Sequence, residues 1–322
     1  MRPHRIAAIL CAAVLVISAP GCGGPDDDGG GGSGKQHVTV AVLPVVDAAA
    51  LYIAQEQGYF AAENLEVTLQ PVAQSLAALP ALKNGQLEVI NGNYVTFLQA
   101  HQQGTLAMRI VADGAAVAPE FMQVLVAPGS PIKTVKDLAG KTVAVNILNN
   151  IQSLTLNAVL RANGVDPATI RYRAVQFAVM DKALAGGDVD AVHTAEPFGT
   201  VIKRKVQATQ LLDAGQEPVT DLPVSGYLST ADWVAKNPET AAAFQRAITR
   251  AQNLANSDRK QVERVLPTFA KVDGPTAAAL RLPAYPSELE PARLQRLIDL
   301  MRQQGLLKAD LNAADIIYHA AR

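Results

Sequence analysis

Thr39-Val40-Ala41-Val42 returns 103 residues later as Thr142-Val143-Ala144-Val145. A longer echo follows in the same order. Ala81-Leu82-Lys83-Asn84-Gly85-Gln86-Leu87-Glu88-Val89-Ile90 returns 102 residues later as Ala183-Leu184-Ala185-Gly186-Gly187-Asp188-Val189-Asp190-Ala191-Val192. Between the members of each pair lies a helical stretch ending on Gly58 or Gly164, then a strand-like run. Three echoes at nearly one offset predict two similar α/β units in one chain, and two such units facing each other make a cleft.

Working outward, Val38 to Leu43 reads as a buried strand, apolar, β-branched and ended by Pro44. Ala48 to Gln57 reads as a helix with Asp47 as N-cap. Leu65 to Gln70 is a strand, Ser75 to Asn84 a helix and Leu87 to Asn91 a third strand. This βαβαβ order predicts a parallel sheet wound with helices. The second unit repeats it: Lys141 to Val145, a helix capped by Asn149 or Asn150 and running to about Ala162, Ile170 to Val175, Met180 to Ala185, and Val189 to His193. The apolar runs Met122 to Ala127 and Pro223 to Leu228 are expected to be the crossings between lobes. The first lobe is then 37–126 and 226–322, and the second is 127–225. Beyond Tyr227 the pattern is helical, with Pro238, Pro275 and Pro291 opening helices and Ala313 to Ala320 closing the chain. With no strand pattern of their own, these helices are expected to fold back on the first lobe.

The 322 residues are 49% hydrophobic and 18% charged, which suits a globular chain of about two domains. A net charge of −1 and 5% aromatic residues give no electrostatic or stacking case for nucleic acid. The first residues read as a targeting segment over 1–21: Arg2 and Arg5, then an apolar run from Ile6 to Ile17 that is short for a membrane span. Ser18-Ala19-Pro20-Gly21-Cys22 resembles a lipobox, with Ala19 where such boxes usually carry Leu. An ordinary signal peptide with a fortuitous Cys is the other reading. Cleavage before Cys22 would remove Arg2 and Arg5 and take the net charge from −1 to −3. Residues 22–36, rich in Gly and Asp, then read as a tether that keeps a lipid-anchored body near the membrane. The second Cys is Cys11, inside the apolar run, so nothing after Cys22 can form a disulfide or a thiolate site.

Three motifs carry a resemblance. Gly58-Tyr59-Phe60-Ala61-Ala62-Glu63-Asn64-Leu65-Glu66-Val67 resembles the GYF-x-x-E-G-L-x-V signature of substrate-binding proteins related to the nitrate/sulfonate/taurine and thiamine-precursor (NMT1/THI5-like) families. Asn64 replaces the usual Gly, and Asn also tolerates left-handed backbone geometry. Asp137 to Val145 resembles their DLkGKkVaV segment, and Asp188-Val189-Asp190-Ala191 with Glu196-Pro197 resembles their G-x-vDA…EP segment. The resemblance covers about 38 to 230. It implies a type II periplasmic-binding-protein fold, an α/β architecture of two lobes joined by two crossing strands. It also implies an ABC importer permease as partner, with the protein acting as a single copy outside the cytoplasm.

In open α/β sheets, ligands sit beyond the carboxyl ends of the strands. That rule selects Pro44 to Ala48, Asn91 to Thr96, Asn146 to Ser153 and His193 to Phe198. Within them, Asp47 either faces the cleft or caps its helix. Asn93 and Tyr94 suit a polar, partly planar ligand, or form a turn and a core Tyr. Asn149, Asn150, Gln152 and Ser153 stand at a helix start whose free N–H groups can hold a polar group, or they only cap it. Glu196 lies in a loop that the resemblance brings near the ligand, and Gln123 could point inward from the first crossing. His193 is expected to be structural. Two carboxylates, and no Lys or Arg in the four segments, favour a neutral or amine-bearing heterocycle over nitrate, a sulfonate or taurine.

Catalysis is the rival class. The resembling families include thiamine-pyrimidine synthases with a Cys-rich iron motif, and the fold also hosts a Cys-dependent desulfinase; both need thiols. The five His residues, at 4, 37, 101, 193 and 319, form no i, i+4 pair for a metal. No Gly-x-Ser-x-Gly elbow or phosphate loop is present. The expectation is therefore solute capture with no catalytic residue, cofactor or metal. A lipoprotein that binds a partner protein is the third class.

Overall fold

A computed structural model describes residues 34–320. The targeting segment, Cys22 and most of the tether lie outside the described residues.

Chain order begins with β1 (Gln36–Val42), α1 (Ala49–Glu56), α2 (Tyr59–Ala62), β2 (Leu65–Pro71), α3 (Ser75–Lys83), β3 (Val89–Asn93), α4 (Tyr94–Gln102) and β4 (Met108–Ala116). It continues with β5 (Met122–Val126), β6 (Thr142–Val145), α5 (Ile151–Ala162), β7 (Arg171–Ala174), α6 (Met180–Ala185), β8 (Ala191–Ala195), α7 (Phe198–Val206) and β9 (Thr209–Asp213). It closes with β10 (Pro223–Thr230), α8 (Ala231–Lys236), α9 (Pro238–Ser257), α10 (Arg259–Phe269), α11 (Gly274–Ala279), α12 (Pro291–Gln303) and α13 (Ala313–Ile316).

The echo read from the sequence is a repeat of topology. One sheet runs β2-β1-β3-β10-β4 and the other β7-β6-β8-β5-β9. In each, the strand holding Thr-Val-Ala-Val lies parallel to both neighbours, and the fourth strand is antiparallel to both of its own. Val40 sits beside Val89 as Val143 sits beside Ala191. Asn64 takes φ 57 in the turn before β2, the left-handed geometry its position calls for.

The two crossings are not where the apolar runs pointed. Met122 to Val126 is fully buried and pairs with β8 and β9 inside the second sheet, although 37–126 was expected to be first-lobe chain. Pro223 to Thr230 is the fourth strand of the first sheet, so that lobe resumes at Pro223 rather than 226. The chain passes between sheets over 117–121 and 214–222. The reason is satisfaction of the backbone: an apolar, β-branched run buries best as an interior strand with both edges paired, and linkers are made from what remains.

The C-terminal helices cover the first sheet as expected. Helix α9 lies on α1, α2 and β4, where Phe244 stacks on Phe60 at 5.5 Å and meets Tyr227 edge-on at 5.8 Å. Ile317 bridges to Ile110 on β4, and the Tyr318 hydroxyl donates to the Pro238 carbonyl at 2.8 Å. One piece reaches further: Arg204 on α7 donates to Thr276 on α11, tying this layer to the second lobe.

Among the described residues no helix is long and apolar enough to cross a membrane.

Candidate functional site

The carboxyl ends of β1, β3, β6 and β8 meet across a cleft with about 640 Å³ of atom-free space, its open mouth included. The lobes stand close together across it. Hydrogen bonds join them, including one from the Val46 N–H to the Glu196 carbonyl at 3.4 Å and three from side chains. Gln74 Nε2 donates to the Asn146 carbonyl at 3.1 Å, Asn150 Nδ2 to Thr96 Oγ1 at 2.9 Å and Gln99 Nε2 to the Asn149 carbonyl at 3.3 Å.

Most of the wall is apolar, including Leu43, Val45, Phe121, Met122, Ile147 and Phe177. Its polar groups are Asp47, Ser75, Asn91, Asn93 and Ser225 from the first lobe and Asn146, Asn150 and Gln152 from the second. Asp47 is the only charged side chain among these lining residues. It does not cap α1; Ser225 Oγ donates to its Oδ2 at 2.8 Å instead. Burial pushes its carboxyl up to about 6, against the pull of Ser225.

Asn93 caps α4, its side chain accepting from the Val95 N–H at 2.8 Å, while its own N–H reaches Ser75 Oγ at 3.4 Å. That approach depends on Gly92. A Cβ there would lie 2.8 Å from Ser75 Cβ and Oγ and 2.9 Å from the Phe97 ring. Gly92→Ala is expected to destabilise the protein by about 1–3 kcal/mol, measured by urea unfolding, because the clash is with packed side chains.

Asn150, not Asn149, caps α5. Its side chain accepts from the Ile151 N–H at 2.8 Å, and Ser153 Oγ accepts from the Asn150 N–H at 3.1 Å. Gln152 Oε1 accepts from the Asn146 N–H at 2.7 Å and its amide donates to the His193 carbonyl. Asp47, Asn93, Asn150 and Gln152 line the cleft.

Tyr94, Gln123, Asn149, Ser153 and Glu196 do not line it. The Tyr94 hydroxyl turns into the first lobe and donates to Asp113 Oδ1 at 2.8 Å. Asn149 sits in left-handed geometry at φ 54 with its side chain outside the cleft. Ser153 is used up in the α5 cap.

Glu196 is fully buried behind the cleft wall. It accepts from the Thr200 N–H at 2.9 Å, Thr200 Oγ1 at 2.7 Å, Gln123 Nε2 at 3.3 Å and the Arg281 N–H at 3.4 Å. The EP segment thus acts as a knot between β5, α7 and the C-terminal layer. Glu196→Ala is accordingly expected to destabilise by about 2–4 kcal/mol in urea unfolding, since it leaves several buried donors without an acceptor. His193 is fully buried, burial drives its pKa down to about 3, and it stays neutral.

Ser75, Phe177 and Ser225 were missed outright. Ser75 and Phe177 follow the outer strands β2 and β7, which the carboxyl-end rule also covers once applied to every strand. Ser225 lies near the start of β10, and an antiparallel strand brings its amino end to the cleft. Among the described residues no cluster of three or more His, Cys, Asp or Glu could hold a metal ion.

A family model described as "NMT1/THI5 like" matches residues 46–261. A "Putative thiamine biosynthesis protein" of Haemophilus influenzae is 23% identical over 289 residues, covering 81% of this chain and 84% of that protein. The "Riboflavin-binding protein RibY" of Chloroflexus aurantiacus is 26% identical over 233 residues, covering 69% of this chain and 64% of that protein. Among solved structures, the periplasmic aliphatic sulphonate binding protein SsuA of Escherichia coli superposes with a TM-score of 0.71 at 20% identity, covering 88% of this chain and 97% of that one. The fold is the periplasmic-binding-protein fold.

Proposed function

The chain belongs to the NMT1/THI5-like family, and from that premise we propose that it captures a small organic solute between its lobes, outside the cytoplasm, and delivers it to an ABC importer. In this reading residues 1–21 are a signal peptide, a lipid on Cys22 anchors a single copy of the protein, and no chemistry is done on the solute. Asp47 and Asn93 contact the solute, Asn150 and Gln152 shape the second-lobe wall, and the apolar walls cover its faces. The proposed solute is a neutral or amine-bearing heterocycle.

The observation that carries this is the charge of the cleft: one buried carboxylate and no Lys or Arg among its lining residues. An oxyanion about 4 Å from that carboxylate would meet a repulsion of about 4 kcal/mol at an effective dielectric of about 20. A protonated amine would meet an attraction of similar size, reduced by the cost of desolvating it. Capture then proceeds by population shift: the solute favours the closed lobes by as much as it binds them better than the open ones. The relatives named for thiamine biosynthesis and riboflavin binding support a heterocycle. The sulphonate-binding neighbour supports the fold and, at 20% identity, not its ligand.

A thermal-shift screen tests the reading. Pyrimidines, heterocyclic amines or flavins are expected to raise the melting temperature; stabilisation by sulfonates or nitrate alone would overturn the ligand class.

A further inference from the structure

Two polar atoms in the cleft walls are buried without a hydrogen-bond partner: Asn91 Nδ2 on β3 and Asn146 Oδ1 just beyond β6. The residues are 1% and 6% exposed and come from opposite lobes. Other polar groups of the wall are engaged. Asn93 and Asn150 cap helices, Gln152 joins the Asn146 N–H to the His193 carbonyl, and Ser225 holds Asp47. A buried donor and a buried acceptor left over in one cavity are rare enough in a folded protein to require a reason.

We propose that Asn91 and Asn146 read the solute as a pair, Asn91 donating from the first lobe and Asn146 accepting from the second, so that a matching edge favours closure. The inference rests on the capture reading above. The solute then carries an acceptor and a donor side by side on one flat edge, as a lactam, ureide or amidine does. An oxyanion offers acceptors only, so it would leave Asn146 unpaired as well as facing Asp47. Closing on an empty cleft strands both atoms away from water, whereas open lobes hydrate them. The pair therefore weighs against closure of the empty lobes and favours it for a solute that satisfies both.

The test uses the full chain in detergent and three probes. Cytosine carries the edge, 1,3-dimethyluracil has acceptors without the donor, and methanesulfonate is the oxyanion. By calorimetry, the wild type is expected to bind cytosine at least about tenfold more tightly than either other probe. Asn91→Leu and Asn146→Leu are each expected to abolish that preference. Asn91→Ser replaces Asn91→Leu if the latter fails to fold. A wild type that prefers methanesulfonate or the dimethyl compound, or that binds none of the three, overturns the proposal; so do variants that keep the preference. A second arm needs no ligand. By small-angle X-ray scattering, the Asn91→Leu/Asn146→Leu protein is expected to have a smaller radius of gyration than the empty wild type, and equal radii overturn the closure claim. Tight methanesulfonate binding with closure would leave capture standing and remove the edge. Binding of a probe with no change in radius would remove lobe closure itself.

Discussion

Replacing Asp47 by Asn is expected to weaken capture of an amine-bearing solute by about 10- to 100-fold, and at the same time to make the empty protein more stable near pH 7.5. Both effects come from one fact: a carboxylate is held in a wall that is otherwise neutral and largely apolar. Its pKa is raised from 3.8 to about 6, chiefly by burial. The folded state therefore binds this proton more readily than the unfolded chain does. Stability from this group is complete below pH 3.8, falls as pH rises towards 6, and stays lost above that. The charged form weighs against the empty fold by up to roughly 3 kcal/mol above pH 6. An amide keeps a partner for Ser225 and removes the charge. Urea unfolding of wild type and Asp47→Asn at pH 4.5 and 7.5 measures this, with the variant gaining mainly at the higher pH. Asp113, also raised to about 6, keeps part of the pH slope in both proteins. A group that destabilises the empty protein and is still present is the pattern of a binding site rather than of a core.

Arg293→Ala is expected to be the most damaging single change outside the cleft, at about 3–5 kcal/mol in urea at neutral pH. Arg293 rises from α12 to pair with Asp113 on β4, and both side chains are nearly buried at 11% and 4% exposure. The same guanidinium lies 3.7 Å from Asp221 in the second crossing and donates to the Glu288 carbonyl at 2.9 Å. Asp113 in turn accepts from the Tyr94 hydroxyl and the Gly114 N–H. Burial pushes its carboxyl up and Arg293, the next largest influence, pulls it down. Without the arginine, the carboxyl would take up a proton at higher pH, so the damage should be smaller at pH 5 than at pH 7.5. Adding Asp113→Asn to Arg293→Ala should recover part of the loss. The tie also reaches the cleft. The Tyr94 ring lies against Gly226, where a Cβ would collide with its hydroxyl, and Gly226 follows Ser225, the partner of Asp47. Loosening Arg293 should therefore weaken solute affinity as well as the fold.

How much of this could be read in advance follows from the range of the interactions involved. The parallel core of each sheet was legible because β1, β3, β6 and β8 are short, largely apolar runs, and helices with clear stops separate them from the half-exposed edge strands β2 and β7, all local signals. The fourth strands were legible as strands but not as members of a sheet. Ser225 pairs with Asn93, 132 residues away, and composition does not name a partner. Helix α4 was hidden because Asn93-Tyr94 reads equally as a turn; the cap geometry that starts it is visible only in three dimensions. In the cleft, the carboxyl-end rule found the right loops, yet side-chain direction decided the rest. Asn93 and Tyr94 are neighbours, but one lines the cleft and the other braces Asp113. Glu196 lies in the expected loop and turns away from the cleft because Thr200, Gln123 and Arg281 supply its donors from behind.

Native mass spectrometry of the gently purified wild type beside Asp47→Asn tests the central claim most directly. The account predicts that the wild type carries a small neutral or amine-bearing heterocycle and that the Asp47→Asn protein, folded and more stable at pH 7.5, comes through empty. A sulfonate or nitrate on the wild type, or the same heterocycle retained in full by Asp47→Asn, would contradict it.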